Sequence, residues 1–208
     1  MIIAVDGPAA AGKGTVARAL ARHFKFHFLD TGTLYRRVGL AVLKASHDPH
    51  DVDAATAAAR ALHAHDFHET ELRSEAVASA ASIVAVIPEV RYALLNFQRE
   101  FAARPPGAVL DGRDIGTVVC PGAEVKLYIT ASALVRAKRR FAELSAVNRG
   151  VIFNAVLEDI RLRDERDRTR SVAPLVPASD ATVIDTSEMT VEAAIAAAVA
   201  AVNSAVAR

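Results

Sequence analysis

Short apolar runs alternate along this chain with longer stretches of helical spacing. Ile2-Ile3-Ala4-Val5 is the first such run and predicts a strand ending at Asp6. Between Lys13 and His23, Ala17, Leu20 and Ala21 fall on one face and Arg18 and Arg22 on another, which predicts a helix. Phe24 to Leu29 reads as a second strand. Asp30-Thr31-Gly32-Thr33 then reads as a turn whose last Thr caps a helix reaching about Lys44. Pro49 breaks the polar stretch from Ser46 to Asp51. An alanine-rich helix over 53–64, a polar patch over 65–71, and helices over 74–86 and 89–103 follow. Arg104-Pro105-Pro106-Gly107 closes that helical region. Ala108 to Asp111 predicts a third strand that runs into the charged loop Gly112-Arg113-Asp114. Val125 to Ile129 is a fourth strand and Thr182-Val183-Ile184-Asp185 a fifth, with helices from Ser132 or Ala133 to about Leu144 and from Phe153 to about Arg166 between them. Thr190 caps an Ala/Val-rich final helix.

Strands that alternate with helices in this way predict an α/β fold with a five-stranded parallel sheet covered on both faces. Ligands on such sheets bind at the carboxyl ends of strands. The first strand ends in Gly7-Pro8-Ala9-Ala10-Ala11-Gly12-Lys13-Gly14-Thr15 and the third in Asp111-Gly112-Arg113-Asp114, so both segments open onto one edge of the sheet.

The first of these segments carries chemistry. Gly7 and Gly12 let the backbone turn so that successive N–H groups can point at one place. Lys13 adds a positive charge there, and a helix N-terminus follows at once. The spacing Gly-x4-Gly-Lys is the phosphate-binding loop signature. Its strict form has Ser or Thr directly after Lys, whereas here Gly14 intervenes and the hydroxyl comes at Thr15.

Composition bounds the alternatives. The 208 residues suit one domain, with a variable insertion expected from Ser46 to Glu71, and 52% hydrophobic residues supply an ample core. The formal net charge of +1 gives no global basic field that calls for nucleic acid. No apolar stretch approaches the ~20 residues of a membrane helix, and no signal peptide is expected. Cys120 is the only cysteine, so no internal disulfide can form and a reducing, cytoplasmic setting is expected. Cys120 itself reads as a small buried hydrophobe. His63, His65 and His68, with Asp66 and Glu69, lie in a polar stretch with irregular spacing and read as a solvated loop rather than a metal site.

The cations are unevenly spread. They crowd between Arg136 and Arg170 and include Arg163-Asp164-Glu165-Arg166-Asp167-Arg168-Thr169-Arg170. A mixed run of this kind is commonly a salt-bridged, solvated helix face. Beside a phosphate loop, the excess of arginine points instead to phosphoryl transfer, because its planar fork neutralises phosphate with two hydrogen bonds at once.

Four blocks taken together carry a family resemblance: the Gly7–Thr15 loop with Lys-Gly-Thr, Asp30 to Arg36, Asp111 to Val119, and Arg163-Asp164-x-Arg166-Asp167-x-x-Arg170 with Ala173-Pro174-Leu175. The chain resembles bacterial cytidylate kinases, which are P-loop nucleoside monophosphate kinases, over essentially its whole length. The resemblance implies a P-loop kinase domain with its core at 1–36, 88–140 and 159–208, an acceptor-binding insertion at about 37–87 and a short lid at about 141–158. It implies ATP as donor, CMP and dCMP as acceptors, and Mg2+ held mostly through waters near Thr15 and Asp111. Gly7 to Thr15 would hold the ATP phosphates. Thr31, Tyr35, Arg36 and Arg113 match positions around the acceptor phosphate, with Thr31 standing where the family usually has Ser. Ser82, Arg91 and Asp114 match residues that read cytosine, and Arg163 and Asp167 match positions near the acceptor ribose and phosphate. Lys13, Arg140, Arg163 and Arg170 would stabilise the transferring group. A monomer acting on small molecules alone is expected, with no nucleic-acid or membrane partner. Between Arg37 and Arg73 the chain is shorter than many relatives, and His63 to Glu71 stands where they carry a strand-rich piece. Rival readings are a kinase for UMP, AMP or another small acceptor and, from another class, a slow GTP-hydrolysing switch. The switch lacks an Asn-Lys-x-Asp guanine-reading motif here.

Overall fold

A computed structural model describes residues 1–62 and 71–207. Polar residues 63–70, which hold His63, His65, Asp66, His68 and Glu69, lie outside the described residues. The chain forms two compact units. One comprises Met1–Leu29 with Ala102–Arg208, and the other Asp30–Phe101.

The first unit is built on the sheet. Strands β1 (Ile2–Asp6), β2 (His27–Asp30), β3 (Ala108–Gly112), β4 (Val125–Thr130) and β5 (Thr182–Asp185) lie in the order β2-β3-β1-β4-β5. Parallel pairing joins β1 to β3, β1 to β4 and β4 to β5. β1 is central, and its Ile3, Ala4 and Val5 are fully buried, as an apolar strand covered on both faces must be. The chain crosses from one side of β1 to the other after β3, which makes the carboxyl end of β1 the switch point where ligands bind. The register sets Val5 beside Asp111 and Asp6 beside Gly112, so the two segments read as opening onto one edge do so.

Helix α1 (Lys13–Phe24) packs on β3 and on α8 (Val191–Val206). Ala194, Ala198 and Val202 recur at helical spacing on the buried face of α8 and meet Val16, Ala17 and Leu20 of α1 in one core. Their small size lets the two helices approach closely. α6 (Ala133–Ser145) and α7 (Phe153–Thr169) pack on each other, and Phe141 meets Phe153 edge-on at 5.7 Å near the connecting turn. The stretch read as a lid, 141–158, thus comprises the last residues of α6, the connector and the first turns of α7. Cys120 is buried, as its apolar neighbours suggested. Ile115–Val119, the end of the block that begins at Asp111, forms one turn of π-helix.

The second unit is helical: α2 (Thr31–Lys44), α3 (Val52–Arg60), a 3-10 turn (Glu71–Arg73), α4 (Glu75–Val84) and α5 (Pro88–Ala102). Leu34, Val38 and Val42 of α2 share a core with Val84, Ile87, Val90 and Leu94. Gly39 permits the close approach of α2 to α4, since a Cβ there would lie 2.9 Å from the Ala81 amide nitrogen. This core draws α2 and α5 into the unit, so Thr31–Arg36 and the residues from Pro88 to Phe101 belong with it rather than with the sheet. The start of α2 also corrects the sequence reading. The helix begins at Thr31 with Asp30 at its cap position, three residues before the cap expected at Thr33. Among the described residues no single helix is long and apolar enough to cross a membrane.

Candidate active site

The loop between β1 and α1 is held by its own backbone. Gly7, at φ 146°, sits where a Cβ would fall 1.9 Å from the Ile129 carbonyl oxygen, so only glycine can pass beneath β4. Positive φ at Ala10 (59°) and Gly12 (91°) turns the chain so that successive N–H groups can converge on one anion. Side chains cap α3, α4, α6 and α8 through Asp51, Ser74, Ser132 and Thr190. No side chain caps α1, whose N-cap is Gly12. A phosphate is the group that such a helix start accepts.

Lys13 is buried, donates from Nζ to the Pro8 carbonyl at 3.0 Å, and lies 3.9 Å from Asp111 Oδ1. Gly14 has its own reason to be glycine, since a Cβ there would stand 3.2 Å from Asp111 Oδ2. The position after Lys13 thus faces a carboxylate from β3. A cleft of about 610 Å3 opens along the loop, bordered by Arg18, Arg139, Met189, Thr190 and Val191.

Two further groups brace the loop from below. Thr186, just past β5, accepts from Arg139 Nη1 at 3.0 Å, and its hydroxyl lies 3.1 Å from the carbonyls of both Ala11 and Thr130. Arg136 on α6 donates to the Ala9 carbonyl at 3.2 Å and forms a bidentate pair with Asp164 on α7 at 2.9 and 2.6 Å.

The loop after β3 is tied at both ends. Asp6 accepts from the backbone N–H groups of Ile115 (2.8 Å) and Gly116 (2.7 Å). Arg113 donates from Nε to Asp167 Oδ2 at 2.8 Å, and Arg170 pairs with Asp114 at 3.5 Å. Two residues of the loop are thus laced to two of α7 and its end by opposite charges. Asp114, Asp167 and Arg170 are all buried. Arg163 pairs with Asp159 on its own helix, and Arg140 with Glu143 on its own.

The second unit holds the remaining predicted residues. Thr31 is buried in the first turn of α2. Arg36 donates to the Leu72 carbonyl at 3.0 Å. Arg91, also buried, donates to the Ala85 carbonyl at 3.1 Å and lies over the Tyr35 ring at 5.7 Å. Ser82 is half-buried on α4.

Sequence comparison names the family. The profile described as Cytidylate kinase matches residues 3–204. The chain is 58% identical over 206 residues to the cytidylate kinase of Paramagnetospirillum magneticum, covering 98% of each, and 58% identical over 205 residues to that of Methylocella silvestris. The chain belongs to the cytidylate kinase family. A crystal structure of an uncharacterized protein from Eubacterium ventriosum superposes on the whole chain with a TM-score of 0.59 at 14% identity, a likeness of fold alone.

As a member of the cytidylate kinase family, the chain is a nucleoside monophosphate kinase. Among its described residues no group of three His, Cys, Asp or Glu side chains gathers to hold a metal directly. A single carboxylate beside the phosphate loop suits magnesium, which keeps its waters and takes one or two carboxylates plus substrate phosphates. Asp111, 3.9 Å from Lys13, fits that description.

Asp6, Arg136, Asp164 and Thr186 were missed as site residues. Each bonds to a backbone atom or partner far away in sequence, which leaves no spacing to read. The one available signal was Asp6 itself, a carboxylate closing an otherwise apolar central strand. Burial pushes the Asp6 carboxyl up to about 6, against the lowering effect of the two N–H donors. A carboxyl raised in the folded state favours folding while protonated, and that advantage fades as pH rises from about 4 through about 6. Relative to Asp6→Asn, the parent should therefore lose roughly 2 kcal/mol of stability between pH 4 and pH 7. Urea unfolding of both proteins across that range measures it, and parallel stability curves would contradict it.

Proposed function

We propose that this kinase transfers the γ-phosphoryl group of ATP to the phosphate of CMP and dCMP in a magnesium-dependent reaction. The observation that carries the reading is the convergence, inside the first unit, of the loop with buried Lys13, the Asp111 carboxylate, and the Arg113–Asp167 and Asp114–Arg170 pairs. An acceptor phosphate oxygen attacks the γ-phosphorus, a new P–O bond forms, and the bond to the β–γ bridging oxygen breaks. The leaving group is ADP. No covalent enzyme intermediate and no strong base are needed, so catalysis is positioning and charge stabilisation.

Lys13 and the loop amides hold the donor phosphates. Arg140, Arg163 and Arg170 supply positive charge to the transferring group. Thr31, Tyr35, Arg36 and Arg113 take the acceptor phosphate, and Asp167 the ribose. Asp114 accepts from the cytosine amino group, while Ser82 and Arg91 address its ring nitrogen and carbonyl. Asp111 and Thr15 would hold magnesium through its waters, where the ion neutralises phosphate charge. Closure of residues 141–158 excludes water that would otherwise hydrolyse ATP. The enzyme works as a cytoplasmic monomer.

A coupled turnover panel over CMP, dCMP, UMP and AMP tests the acceptor. CMP and dCMP should be preferred, and Asp114→Asn should cut kcat/KM for CMP by about 10²-fold while narrowing the gap between CMP and UMP. Equal use of CMP and UMP by the parent, or an equal loss for every acceptor in the variant, would defeat the cytosine-reading role.

A further inference from the structure

We propose that Arg136 and Asp164 act as a positioning pair that fixes the donor phosphate loop against the helix bearing the transfer arginines. The proposal rests on the kinase reading above and goes beyond its substrate contacts.

Arg136 is nearly inaccessible, at 4% exposure, and its guanidinium is committed on three sides. Nε donates to the Ala131 carbonyl at the end of β4 (2.8 Å). Nη1 donates to the Ala9 carbonyl in the phosphate loop (3.2 Å) and to Asp164 Oδ1 (2.9 Å), and Nη2 donates to Asp164 Oδ2 (2.6 Å). Four hydrogen bonds therefore use most of the donors that an arginine has. An arginine so occupied is ill-suited to capture phosphate itself. It is suited to holding three backbone or helix elements in one geometry.

Those elements are the ones that must agree. Ala9 follows Pro8, whose carbonyl takes the Lys13 ammonium, and precedes Ala10 with its left-handed backbone. Consecutive carbonyls of the loop are thus turned onto two different cations. Asp164 stands directly after Arg163, one helical turn before Asp167 and two before Arg170. A bidentate fork fixes angle as well as distance. A loosened fork lets the loop and the arginine helix drift apart, and a misplacement of ~1 Å can cost on the order of 10²-fold in rate.

The full-length variants Arg136→Lys and Asp164→Asn, singly and combined, test the pair through kcat, KM for ATP and CMP, and thermal melting. Arg136→Lys keeps the charge and removes the fork. It should lower kcat by about 10²-fold with both KM values within about three-fold of the parent, because alignment is lost and ground-state binding is not. Asp164→Asn should lower kcat in the same direction, and the double variant should be no worse than the poorer single one, as residues acting as a unit behave. Near-parent kcat in either single variant, losses that multiply in the double, or a rise in KM at constant kcat would overturn the proposal. Failure of both single variants to melt cooperatively would also overturn it, by making the pair a structural strut. An inactive parent would defeat the kinase reading and the pair together, whereas an active parent with unaffected variants defeats the pair alone.

Discussion

Lys13→Ala should lower kcat for phosphoryl transfer by about 10³-fold or more, with the fold retained. The ammonium stands in the loop, bonded to the Pro8 carbonyl and 3.9 Å from Asp111. It is the one lysine of the Gly7–Thr15 loop, the segment proposed to hold the donor phosphates. Truncation removes a buried cation and leaves the Pro8 carbonyl to water that enters with the lost side chain. The expected penalty falls on chemistry far more than on stability, so the melting temperature should stay within roughly 5 °C of the parent. Single-turnover measurement at saturating ATP and CMP, with a melting curve on the same sample, separates the two effects. A folded variant with turnover within ten-fold of the parent, roughly 1.4 kcal/mol of barrier, would remove the loop from the catalytic assignment.

Gly7→Ala should have the largest effect on the fold. Its Cβ would meet a backbone oxygen of β4, which cannot swing aside as a side-chain tip can. Either the central strands part or the loop abandons its path. Strain from the backbone angle and from the clash together should cost on the order of 3–5 kcal/mol, or roughly 10 °C or more in melting temperature for a chain of this size. Gly12→Ala is the internal comparison. Its φ of 91° is also unfavourable, but nothing lies within 4 Å of the added Cβ. It should cost only about 1–2 kcal/mol. Equal destabilisation of the two variants would show that backbone strain, not the approach to Ile129, sets the demand for glycine at position 7.

Much of the sheet unit can be read directly from residue order. Apolar runs of strand length, the glycine spacing of the first loop and the acids closing β1 and β3 are local signals, and the structure keeps them near where they were expected. The exception is β2, which starts at His27 rather than Phe24, because Phe24 ends α1 before its left-handed cap at Lys25. Less legible were features decided by distant partners. Thr33 looked like a cap because it is a hydroxyl residue before a helical run. The helix instead begins at Thr31, where burial of Thr31 and Leu34 fixes the first turn. The π-turn at Ile115–Val119 depends on Asp6 receiving two N–H groups from over a hundred residues away. Nothing in the run Ile-Gly-Thr-Val-Val signals that. The arginine-rich segment was only half readable. Its composition pointed to phosphate, the role proposed for Arg140, Arg163 and Arg170, but Arg136 turned inward to carbonyls and a carboxylate. Charge patterning alone does not distinguish those fates.

The division of the sheet unit between two stretches of chain has a consequence for how the protein is made. β1 and its loop emerge long before their partners, since β1 takes its neighbours from β3 and β4, beginning with Ile2 beside Ala108. At a synthesis rate of roughly 5–20 residues per second, the first strand waits several seconds without a partner. The unit from Asp30 to Phe101 is one unbroken stretch and meets its partners as it appears. Contacts of such long sequence separation are slow to close. Even then α8 must still settle on α1 to complete the core they share. A strand made well before its neighbours is therefore completed only after them.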